Sequence, residues 1–114
     1  MSTFGRERLA EIFKDTSDLC RNHSLLKQMV DSANKEQMVI LEGDEVIGSE
    51  REYEKPAKIV VSPKRTLEAS RAYSAKEVCV HNFAFAVNPG GGVERGASAQ
   101  EECICRSSAL LSPR

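Results

Sequence analysis

The sequence lacks a long apolar run, an excess of either charge, a secretory leader pattern and a cysteine framework, and each absence removes a class of protein. No apolar stretch approaches the length a membrane helix needs, and the start "MSTFGRERLAEIFK" holds no apolar segment suited to a signal peptide. A cytoplasmic protein without a membrane partner is the expectation. The 16 Lys and Arg residues are balanced by 17 Asp and Glu, giving a formal net charge of -1. Binding to duplex nucleic acid by phosphate neutralisation favours a basic excess, so no nucleic-acid partner is expected. The four cysteines, Cys20, Cys79, Cys103 and Cys105, match neither a disulfide framework nor a zinc motif. Cys20/His23 and Cys79/His81 stand without a second ligand pair at finger-like spacing, so no metal site and no cofactor are expected. The cysteines read as small apolar side chains.

What remains is ordinary for a globular chain: 114 residues, 40% hydrophobic and 29% charged, enough for one domain. Residues 1–36 read as a helical segment and residues 37–114 as a partial α/β core. From Gly5 to Arg21, Leu9, Ile12, Phe13, Thr16, Leu19 and Cys20 recur at helical spacing, opposite Arg8, Glu11, Lys14 and Asp18. Ser24 is placed to cap a second helix reaching about Asn34, with Leu25, Leu26, Met29 and Val30 on its apolar side. "QMVILEG" reads as a strand, and the acidic stretch 44–56 as a solvated loop or hairpin. "AKIVV" reads as a second strand, followed by Ser62-Pro63 and a helix through "KRTLEASRAY".

"EVCVHNFAFAV", Glu77 to Val87, is the longest apolar run. Val78, Val80, Asn82, Ala84 and Ala86 alternate with Cys79, His81, Phe83, Phe85 and Val87, and both sets are largely apolar, which suits a strand covered on two sides. Strand, helix and strand in close succession imply a βαβ crossover, and with it an α/β fold.

Glycine is scarce except in "NPGGGVERGASAQEE", Asn88 to Glu102. Asn88-Pro89 forces a turn, and Gly90, Gly91 and Gly92 remove every Cβ, which lets backbone approach a phosphate or a sugar closely. A helix beginning near Ala97 or Ser98 adds a field that favours an anion. Neither familiar phosphate loop fits. Ala97 stands where the P-loop needs lysine, and Arg95 stands where the dinucleotide fingerprint needs its third glycine. The competing reading is a tight turn followed by a capping box, with Ser98 and Glu101 closing the helix start. Glu101 and Glu102 project about 100° apart on a helix, so they cannot both be caps.

The segment "NFAFAVNPGGGVERGASAQEECICRSSALL" resembles the signature of the microbial-type poly(ADP-ribose) glycohydrolases: Asn-Phe-Ala, a spacer, Asn-Pro-Gly-Gly-Gly, an interval, then Gln-Glu-Glu. The likeness is dense from about Ile59 through Leu111. It implies a macrodomain-like α/β/α sandwich that binds ADP-ribose or poly(ADP-ribose), carried on ADP-ribosylated proteins, and hydrolyses the ribose–ribose O-glycosidic bond. By motif position, Gly90, Gly91 and Gly92 would wrap the diphosphate and terminal ribose. Asn82 and Asn88 would orient that ribose, and Gln100 would support the loop. Glu101 would hold ribose hydroxyls and Glu102 would be the catalytic acid, delivering a proton to the leaving oxygen and then activating water.

Members of that family continue past the Gln-Glu-Glu helix into further strands and a second phosphate-contacting loop, whereas this sequence runs to "SSALLSPR". The expectation is therefore the N-terminal portion of such a domain, with a homo-oligomer or a complementing chain covering the open sheet edge. The alternative is a noncatalytic ADP-ribose-binding or assembly module, or an inactive fragment.

Overall fold

The structure is a computed structural model that describes residues 3–46, 48 and 53–111. Among the described residues there are four α-helices, α1 (Thr3–Asn22), α2 (Ser24–Glu36), α3 (Thr66–Arg71) and α4 (Gln100–Ser107), with a 3-10 turn at Val93–Arg95. Among them no helix is long and apolar enough to cross a membrane.

The two N-terminal helices form as their sequence periodicity predicts. Cys20 is buried on the inward stripe of α1, with Leu9, Phe13 and Thr16 half-buried along it. The stripe packs on the 3-10 turn, α2 and α4. Thr16 fastens the contact, its hydroxyl donating to the Arg106 carbonyl at 2.6 Å. α2 follows α1 almost without a break. His23 rather than Ser24 is its cap, with Nδ1 accepting from the Leu26 N–H at 3.5 Å. No residue of α2 is fully buried, so its apolar side, with Leu25 and Met29 exposed, is only half used.

The expected α/β, macrodomain-like sandwich is not what the chain forms. Among the described residues there is no strand and no sheet. The three stretches read as strands, "QMVILEG", "AKIVV" and "EVCVHNFAFAV", run as irregular backbone. Ile59 is 87% and Val61 94% exposed. The reason is physical: β-branched and aromatic residues favour a strand because neighbouring strands pack against them, and without a neighbour that preference contributes little. "QMVILEG" ends instead in a turn, where the Asp44 carboxylate accepts from the Leu41 N–H at 2.7 Å. Of the acidic loop at 44–56, residues 47 and 49–52 lie outside the described residues. After Ser62-Pro63 the helix starts later than the sequence suggests, at Thr66, with Arg65 at its cap position.

The core is small and sits where α1, the glycine loop and α4 meet. Val93 and Cys105 are each 1% exposed, and Ile104 and Cys20 complete the buried apolar set. Gly96 sets how closely these parts approach. Its φ is +74°, and a Cβ there would collide with the backbone of α1 at Arg6. Only glycine satisfies both the left-handed backbone and the missing space.

Candidate functional site

Residues 81–92 are held by three consecutive side chains at the start of α4. Gln100 Oε1 accepts from the Phe83 N–H at 2.7 Å, and its Nε2 donates to the His81 carbonyl at 2.7 Å and to Thr66 Oγ1 at 3.4 Å. Glu101 accepts from the Phe85 N–H through Oε2 at 2.8 Å and from the Gly90 N–H through Oε1 at 2.9 Å. Glu102 accepts from the Gly92 N–H through Oε1 at 3.1 Å. His81, Phe83 and Phe85 are spaced by two, so their backbone groups present one edge of the chain, the edge a partner strand would pair with. Here the side chains of α4 take that place.

The loop between these anchors is a compact turn. The Gly91 N–H donates to the Asn88 carbonyl at 2.9 Å, and Asn88 Nδ2 donates back to the Gly91 carbonyl at 2.7 Å. Val93 and Gly96 continue the turn through bonds to the Gly90 and Val93 carbonyls. All three glycine N–H groups are therefore engaged within the protein. The bare backbone serves the glutamates directly, because a Cβ on Gly91 would run into the Glu102 carboxylate, and the φ of +57° there also disfavours other residues.

The two carboxylates differ in how they are used. Both are buried. Glu101 commits both oxygens to backbone donors, whereas among the described residues Glu102 commits only Oε1. The capping box read at Ser98 and Glu101 does not form: Ala99 is the cap residue of α4 and makes no side-chain cap bond, while the Glu101 carboxylate turns to the loop.

Beside Glu101 lies a cavity of about 230 Å³, bordered by Asn82, Phe85, Pro89, Gly90, Cys105 and Leu111. That is below the roughly 300–1,000 Å³ of pockets for drug-sized ligands, so it has room for a sugar ring rather than for a whole dinucleotide. Asn82 Oδ1 is buried without a hydrogen-bond partner, which leaves one acceptor on this wall unanswered. Cys105 closes the floor. Burial first, and then the charges of Glu101 and Glu102, push its thiol above the usual range, so it is a neutral apolar wall.

Of the residues picked out from sequence, the structure thus brings Asn82, Gly90 and Glu101 around one cavity, with Gly91, Gly92 and Glu102 adjoining. Asn88 shapes the outer turn, and Gln100 faces the other way, toward residues 81–83 and α3. Among the described residues no group of three or more His, Cys, Asp or Glu side chains is arranged to hold a metal ion. Sequence reasoning passes over Gly96 and Cys105. The glycine following Val93-Glu94-Arg95 carries a recognisable signal, since helical turns commonly end on a left-handed glycine. Cys105 carries none beyond helical spacing from Glu101.

Residues 9–113 match the family model described as "Microbial-type PARG, catalytic domain". The chain belongs to the microbial-type PARG family. No curated protein and no solved structure matches it. The PARG family, named for poly(ADP-ribose) glycohydrolase, supplies a chemical context for a glycine loop clasped by Gln100, Glu101 and Glu102.

Proposed function

We propose that the chain is a poly(ADP-ribose) glycohydrolase, cleaving the ribose–ribose O-glycosidic bond and releasing ADP-ribose with Glu102 as general acid and then base. The observation that carries this reading is the unequal use of the glutamates. Glu101 is spent on positioning the loop through both oxygens, while Glu102 sits against a Cβ-free backbone with one oxygen uncommitted among the described residues. In the reaction Glu102 gives its proton to the leaving ribose oxygen as the glycosidic C–O bond breaks. The resulting carboxylate then takes a proton from the water that attacks the oxocarbenium-like carbon. The unanswered Asn82 Oδ1 would accept a ribose hydroxyl, and the neighbouring cavity would receive the sugar ring. Gly90, Gly91 and Gly92 would pass beneath the diphosphate, and Asn88 and Gln100 would keep the loop in register.

The test is incubation with labelled poly(ADP-ribose). Release of ADP-ribose that falls at least about 100-fold in Glu102→Gln, with ADP-ribose binding retained, is the expected result. Turnover surviving in Glu102→Gln would remove Glu102 from its role. Binding by the unaltered chain without release favours the noncatalytic ADP-ribose-binding module.

A further inference from the structure

A larger cleft than the one beside Glu101 lies along the side of α4 that carries Gln100, Cys103, Ile104 and Ser107. It encloses about 620 Å³ between α1, α3 and α4, within the size range of small-molecule sites. These four are spaced as one helical face, whereas Glu101 and Cys105 border the smaller cavity on another face.

Its charge runs against that of the whole chain. Lys64, Arg65, Arg71 and Arg106 border it against the single carboxylate of Glu68, although the formal net charge of the protein is -1. Arg106 is the decisive member. It is only 6% exposed, and its guanidinium meets neutral acceptors: Nη1 donates to the Ala97 carbonyl and Nη2 to Cys103 Sγ at 3.3 Å. Among the described residues the ion pair present is Arg8 with Glu11 on α1, so no carboxylate forms an ion pair with Arg106. A guanidinium kept from water without an anion is costly, and an incoming anion relieves that cost. Ala97, whose carbonyl it meets, lies just ahead of the start of α4, where the helix field also favours negative charge. Leu9, Ile12 and Leu67 add an apolar wall that inorganic phosphate would leave unfilled.

From this juxtaposition we infer that the cleft between α1, α3 and α4 is a second binding site, separate from the glycine loop, for an organic diphosphate. Its phosphates face Arg106 with Lys64 and Arg71, and its organic part lies on the apolar wall. The site stands whether or not Glu102 is the catalytic acid, because its recognition needs no turnover.

Titration of the full chain with ADP and with inorganic pyrophosphate, followed through backbone amide resonances, tests this. Saturable shifts are expected at Thr66, Ala99 and Arg106 in addition to any at Gly90 to Gly92, with ADP the tighter ligand. Lys64→Glu combined with Arg71→Glu changes two exposed residues outside the glycine loop; it should leave the melting temperature in place and weaken binding at the cleft at least tenfold. Shifts confined to Gly90 to Gly92, or equal affinity in the double variant, would overturn the inference, and pyrophosphate binding as tightly as ADP would overturn its organic part. An ADP-ribose dimer saturating the loop and cleft amides in one isotherm identifies the polymer as the source. A dimer no tighter than ADP identifies the free nucleotide.

Discussion

The region around Val93 and the apolar stretches at 38–41, 59–61 and 78–87 are built from similar residues and end in opposite environments. Val93 is 1% exposed and Val61 94%. The difference lies in what each stretch can complete from within the chain. Around Val93 the loop finds all its partners nearby: three side chains of one helix turn, a tight turn and a glycine that admits α1. The apolar stretches need a neighbouring strand that the described residues do not provide. The consequence shows in the total surface, 10212 Å² against about 6,200 Å² for a folded monomer of this size. The radius of gyration agrees, 16.7 Å against about 13 Å.

If the compact region owes its order to close approach, the largest loss should follow from blocking that approach. Gly96→Ala imposes a left-handed backbone on an L-residue and drives its Cβ into the backbone of α1 at Arg6. A loss of about 3–4 kcal/mol in urea unfolding is expected. A loss under about 0.5 kcal/mol would show that α1 does not depend on this contact.

Glu101→Ala attacks the same region through its hydrogen bonds. It leaves the buried Gly90 N–H and the partly buried Phe85 N–H without their charged acceptor. Charged hydrogen bonds contribute about 1.5–3 kcal/mol each, so a loss of roughly 3 kcal/mol is expected once water re-enters. Hydrogen exchange should speed up at Phe85 and Gly90 before it does within α1. Uniform acceleration would mean that the hold of Glu101 on the loop is not local. Gln100→Ala should cost less, about 1 kcal/mol, because its partners Phe83 and His81 are already exposed to solvent.

The same division decides what can be read from the sequence. α1 and α2 are legible to within a few residues, because helical periodicity is a local property and Leu9, Phe13 and Cys20 show it in one stretch. The loop is legible as a special backbone because three glycines in succession weaken any helix or strand and open conformations that other residues avoid. The direction of Glu101 is not legible. Spacing allows it to close a capping box with Ser98, and only the nearness of Gly90 and Phe85 decides that the loop N–H groups are the better partners. The sheet is misread because Ile59, Val60 and Val61 report a preference for β neighbours, and a preference carries no information on whether a neighbour is present. Arg106 escapes notice because nothing in its spacing shows that its guanidinium would be buried without a carboxylate.

The smallest effect should come from the stretch that lacks partners. Val61→Thr keeps the β-branched shape and replaces a methyl by a hydroxyl at a side chain exposed to 94%. With so little surface removed from water, the change in stability should stay within about 0.5 kcal/mol in either direction. A loss above about 1.5 kcal/mol would mean that Val61 is covered in solution, and the dependence of the melting temperature on protein concentration would then identify the cover. A melting temperature that rises with concentration assigns it to a second copy of the chain, because association stabilises the folded form by mass action. A melting temperature independent of concentration assigns it to another segment of the same chain folding back.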